Sequence, residues 1–162
     1  MKLILAIALS ALPLAAQNQF INPEGLSKPP GYTHVIVAKP GKIVFISGQV
    51  ANDKTGKVVS NDFRAQAEQV FVNLKTALAA GGATFDDVVK LNYYVRDYSQ
   101  DKRTAIRETR DKYVNKEHPP ASTLIGVAAL ATDDYLLEVE AVAVPPESTP
   151  ASKLKRPAQK MK

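Results

Sequence analysis

The sequence predicts an α+β domain with two helices on one face of a mixed sheet, and three observations carry that expectation. Leu137, Val139, Ala141 and Ala143 alternate with Glu138, Glu140 and Val142, the period-two pattern of a half-buried strand. Pro119-Pro120 leads into Ala121-Ser122-Thr123-Leu124-Ile125-Gly126-Val127, which reads as another strand because two prolines bar a helix there. Phe63, Ala67, Val70, Phe71, Leu74, Ala77 and Leu78 recur at three- and four-residue steps, the apolar stripe of a helix facing a core.

The elements follow in order. Residues 1–16 hold one lysine, an apolar run over Leu3–Leu12 and then Ala15-Ala16, before the chain turns polar at Gln17-Asn18-Gln19. The run falls short of the about 20 apolar residues a bilayer span needs, and the pattern is that of a secretory signal peptide. The expectation is a periplasmic or secreted protein whose folded domain covers 17–144. Asn22 to Gly31 is rich in turn residues and reads as a surface lead-in. Tyr32–Ala38 reads as a first strand, Pro40-Gly41 as its turn, and Ile43–Val50 as the second strand. That second strand ends in Ser47-Gly48-Gln49, where a glycine lets a ligand approach the backbone or simply allows a bend.

Ser60 or Asn61 is the expected cap of the first helix, and Gly81-Gly82 its end. Val89, Leu91, Tyr93 and Val95 alternate with Lys90, Asn92, Tyr94 and Arg96 as a half-buried strand. Ser99 or Asp101 is positioned to cap a second, highly charged helix marked by Ile106, Tyr113 and Val114, whose Arg107 and Arg110 have the length to reach a cleft. Beyond Val144 the chain is dominated by Pro, Ser, Ala and Lys, and 145–162 is expected to be a disordered basic tail.

Charge and composition narrow the function. The formal charge of +5 arises from Lys2 and the tail, while residues 17–144 are neutral. A neutral body has no electrostatic footprint for nucleic acid. There is no cysteine, and the two histidines, His34 and His118, stand far apart. Disulfides and thiolate chemistry are thus excluded, no metal-binding pattern is present, and no cofactor motif appears. Glu138 and Glu140 share one sheet face beside the hydroxyls of Ser122 and Thr123, which is either a site or a solvated surface.

Pro120-Ala121-Ser122-Thr123-Leu124-Ile125-Gly126-Val127-Ala128-Ala129-Leu130 and Leu137-Glu138-Val139-Glu140-Ala141 resemble the C-terminal signature of the Rid (YjgF) family, and Ser47-Gly48-Gln49 and Tyr32 match its cleft. The resemblance implies a chorismate-mutase-like homotrimer with three clefts between subunits that take a small-molecule ligand. It implies that Glu138 positions the attacking water of imine or enamine hydrolysis without metal or cofactor, that Ser47 and the Gly48 N–H hold the substrate, and that Tyr32 closes the cleft. Deaminating members carry an arginine two positions after the proline, where this chain has Ser122. Ser122 and Thr123 are then neutral substrate contacts, Arg107 is a candidate replacement for the charge, and a non-catalytic ligand-binding or scaffold trimer is the alternative.

Overall fold

The computed structural model describes residues 18–38 and 41–146. The signal-peptide reading of 1–16 and the tail from 147 onward lie outside the described residues. Strands β1 (Gln19–Ile21) and β2 (Val35–Val37) form an antiparallel pair of their own. The main sheet holds β3 (Val44–Gln49), β4 (Val88–Arg96), β5 (Ala121–Val127) and β6 (Leu137–Ala143) in the order β3-β6-β4-β5. β6 is antiparallel to both β3 and β4, and β4 and β5 run parallel, so the sheet is mixed and the fold is α+β as expected.

Helix α1 (Phe63–Ala80) packs on β3 and β6, and α2 (Gln100–Arg110) packs on α1 while serving as the crossover between the parallel strands β4 and β5. The core lies between helices and sheet. Phe71, Leu74 and Leu78 of α1 are buried against Leu91 and Val95 of β4 and Leu137 and Val139 of β6. Phe71 stacks on Tyr113 at 5.3 Å and on Phe85 at 6.0 Å, closing one end of this layer. Gln66 is the buried polar exception. Its Nε2 donates to the carbonyls of Ser60 and Asp134, each at 2.7 Å, and its Oε1 accepts from Leu136 N. A fully satisfied amide costs little to bury, and this one ties the segment before α1 to the loop that enters β6.

Four expectations need correction. Asp62, and neither Ser60 nor Asn61, caps α1, accepting from Ala65 N at 2.8 Å, while Ser60 Oγ accepts from Asp62 N. Strand β2 pairs with β1 rather than with β3, so residues 18–21 belong to the folded body. In β4 the buried residue at the start is Val88 rather than Val89, because the register with β6 shifts between Val88 and Lys90. Pro145 is buried and Val144 N donates to Asp87 O at 2.8 Å, so the ordered chain runs past the expected boundary at 144. Ser99 caps α2 as expected.

Candidate functional site

Parity along the strands decides what faces what. Leu137, Val139, Ala141 and Ala143 point into the core, so Glu138, Glu140 and Val142 face the side of the sheet that no helix covers. Their neighbours on that open side are Lys90, Asn92 and Tyr94 of β4, Thr123 and Ile125 of β5, and Phe45 of β3. Phe45 is 77% exposed.

The two carboxylates are held differently. Glu140 accepts from the Tyr94 hydroxyl and, at 3.4 Å, from Asn92 Nδ2. The bond to Glu140, with burial and the nearby Glu138 charge adding to it, raises the Tyr94 pKa above the ordinary tyrosine value. Glu138 accepts no hydrogen bond and makes no ion pair among the described residues. Its surroundings come from β3, where Ile46 pairs with Ala141 and Gln49 with Val139, leaving Ser47 and Gly48 as a bulge. The bulge turns Gly48 toward Glu138. A β-carbon at residue 48 would lie 2.6 Å from Glu138 Cδ and closer still to Oε1. Gly48 is therefore a glycine because a carboxylate occupies the place of its side chain.

The other expected residues gather at the far edge of the sheet. Thr33 N donates to Pro120 O at 3.3 Å and Thr33 Oγ1 to Pro119 O at 2.6 Å, which ties the Tyr32 segment to the entrance of β5. Tyr32 meets His34 edge-on at 5.2 Å and lines a cleft of about 490 Å³ with Pro23, Ser27, Lys116 and Pro119. Thr123 is on the open face, where Lys90 Nζ donates to its hydroxyl at 2.7 Å. Ser122 is on the opposite face, level with core-facing Leu91, so within one chain it does not share a surface with Glu138. Arg107 Nη2 donates to Pro30 O at 2.5 Å, and Arg110 Nη1 to Gly31 O at 2.8 Å. Both arginines strap the lead-in segment to α2. Gly31 has φ +120 and a β-carbon there would meet Arg110 Nη2 at 3.0 Å, so the strap also demands a glycine.

Within one chain, then, Ser47, Gly48 and Glu138 come together, Tyr32 and the start of β5 come together, and the two groups stand apart. Sequence reasoning missed the Tyr94–Glu140 pair, although the alternation of β4 and β6 was enough to put both on one face. No helix among the described residues is long and apolar enough to cross a membrane.

A two-helix layer on a mixed sheet, with an unpaired carboxylate set over a glycine bulge, defines a small-molecule domain of the Rid type. Residues 26–145 match the family described as Endoribonuclease L-PSP, and the chain belongs to this Rid (YjgF) family. It is 35% identical to a RutC family protein of Pyrococcus horikoshii over 78% of this chain and 97% of that protein. It is 33% identical to the 2-iminobutanoate/2-iminopropanoate deaminase of Dermatophagoides farinae, over 64% of this chain and 79% of the relative. Among solved structures, a Rid family protein of unknown function from Yersinia pestis superposes with a TM-score of 0.74 at 37% identity, covering 79% of this chain and 98% of that one.

Proposed function

We propose that this chain hydrolyses reactive imines or enamines that lack a carboxylate, in clefts formed between copies of itself in a homotrimer. The observation that carries the proposal is the Glu138 carboxylate, unpaired and lying against Gly48. A protonated imine is already electrophilic, so a water held by Glu138 attacks the C=N carbon while Glu138 takes its proton. The resulting carbinolamine breaks its C–N bond, ammonia leaves with the transferred proton, and the carbonyl product remains. Imine and water give carbonyl compound and ammonia, with no oxidant or reductant. The Gly48 N–H and Ser47 hold the substrate next to this carboxylate.

Tyr32, Ser122 and Thr123 belong to the same cleft only if another copy supplies them. Three strand spacings, about 14 Å, separate β3 from β5 within one sheet. The open face supports such an assembly: exposed Phe45 and Ile125 sit among Lys90, Asn92, Tyr94 and Glu138, a mixture suited to a wet interface. Ser122 carries no charge and Arg107 is engaged with Pro30. Lacking a charge-assisted fork, the cleft forgoes on the order of 2–5 kcal/mol of carboxylate binding. Ser122 also favours a second reading, a trimer that binds a small ligand or acts as a scaffold without turning anything over.

The test is an assay of protein purified from its native host, whose N-terminal sequence also reports whether residues 1–16 are removed as an export signal. Imino acids generated from serine or threonine are expected to hydrolyse near the buffer rate, and Ser122→Arg to raise that rate roughly tenfold or more, the low end of what a guanidinium fork contributes. Imines without a carboxylate are expected to be hydrolysed, and Glu138→Gln to abolish it. Rapid hydrolysis of the imino acids by the wild type would overturn the role given to Ser122. Binding without hydrolysis of any imine would establish the second reading.

A further inference from the structure

A groove of about 690 Å³ opens beside the Ser47–Gly48 bulge, between the loop after β3 and one flank of α1. The side-chain amides of Gln49, Asn52, Gln69 and Asn73 line it, and the backbone dictates how three of them point. Carbonyl oxygens only accept, so Asn73 turns its NH2 to Val50 O and Asn52 O, both at 2.8 Å. Asn73 Oδ1 is thereby left to accept from Gln69 Nε2 at 2.9 Å, which leaves Gln69 Oε1 over. Gln49 gives its NH2 to Ser47 O at 3.0 Å and is left with Oε1 in the same way.

The other polar groups reinforce the pattern. Asn52 donates to the Tyr135 hydroxyl at 2.8 Å, and its Oδ1 is buried without a partner among the described residues. The Thr76 hydroxyl donates to Val72 O at 3.1 Å within α1. Asp53 Oδ1 already takes donors from Thr55 and Lys57. What remains is a row of amide oxygens with Lys54 as the one uncommitted side-chain donor among the described lining residues. A ligand carboxylate or ester would set lone pairs against lone pairs, whereas an N–H donor would satisfy them.

We propose that this groove is a subsite for the part of the substrate remote from the C=N carbon, and that it selects an arm ending in N–H donors over one ending in a carboxylate or ester. The proposal rests on the reading of Gly48 and Glu138 as the reacting end: the groove begins at Gly48, against whose α-carbon Glu138 lies. It supplies a positive reason for the neutral Ser122, since the substrate arm is recognised here by its donors rather than elsewhere by its charge.

Three ketones of one length separate the possibilities: 4-oxopentanamide, methyl 4-oxopentanoate and 4-oxopentanoate, whose ketone stands for the carbonyl product. Titrated into nitrogen-15-labelled full-length protein, they are read at the Gly48 backbone amide for the reacting end and at the Gln69 side-chain amide for the groove. The amide is expected to move both signals and to bind roughly tenfold tighter than the ester, the difference one or two hydrogen bonds make. Gln69→Leu is expected to remove most of that difference while Gly48 still responds. Equal affinity for amide and ester, tighter binding of 4-oxopentanoate, or a preference that survives Gln69→Leu with Gly48 responding would overturn the subsite and leave the reacting end intact. Silence of Gly48 toward all three ketones would overturn both.

Discussion

The two faces of the main sheet are built from alternate residues of the same strands and have opposite chemistry. On the helix-covered face, Leu91, Tyr93 and Val95 of β4 meet Leu137, Val139 and Ala141 of β6, and all are nearly or fully buried. One residue away, Lys90, Asn92, Tyr94, Glu138 and Glu140 stand on a face that no helix covers, beside exposed Phe45 and Ile125. The contrast teaches where stability and function reside. The covered face holds the chain together, and the open face carries the groups that act once copies of the chain meet.

The largest expected effect comes from the covered face. Leu137→Ala removes a fully buried side chain beside Glu138 and is expected to lower unfolding free energy by about 2–5 kcal/mol in urea titration; a loss under about 1 kcal/mol would mean this face is less tightly packed than described. An intermediate effect, and one of another kind, is expected from Phe45→Ser. Its ring is solvated in the single chain, so the stability of one folded subunit should barely change. Light scattering should instead report a fall from a multi-chain mass toward that of one chain; an unchanged mass would remove Phe45 from the interface.

The smallest effect sharpens the comparison through two adjacent tyrosines. Tyr93, on the covered face, has its pKa pushed far above the ordinary value by burial, and its hydroxyl has no partner among the described residues. Tyr94, on the open face, is raised chiefly by its bond to Glu140. Both native-state values exceed the unfolded value of about 10. Above that pH the native state therefore retains protons the unfolded chain has released, and stability falls as pH rises. In an ultraviolet titration, Glu140→Gln should lower the ionisation of Tyr94 toward the ordinary range while Tyr93 ionises only as the protein unfolds. Ionisation of Tyr93 in the folded protein would show that its surroundings admit water.

Much of this contrast was legible in the residues themselves. The alternation of β6 and the stripe of α1 report burial on both sides of one interface, so each pattern had a single physical cause. The start of β5 was harder, because Leu124 and Ile125 are adjacent apolar residues and neither parity is marked. Its pairing with Leu91 is what turns Ser122 away from Glu138. The Ser47–Gly48 bulge exists only in register with Ala141 and Val139, a partner remote in the chain. Arg107 had the right charge to serve a cleft, yet its target is the Pro30 carbonyl, and no local spacing encodes that. The pairing of β1 with β2 was hidden for a similar reason: β1 is three residues long, too short to display a period.

The strand that carries Glu138 is the last to be synthesised, yet it lies inside the sheet, between β3 and β4. A nascent chain that has emerged only through Val127 can pair β4 with β5, but β3 has no neighbour in the main sheet, and the apolar faces of Ile46 and Leu91 await the same missing strand. Contacts as remote in sequence as Phe45 with Val142 close late, since loop closure opposes them until other contacts hold the chain. The sheet is thus completed by insertion rather than by growth at an edge. The carboxylate, the bulge it fills and the continuous core all come into being in that one event, so an arrested chain ending before Leu137 contains no partial version of the site.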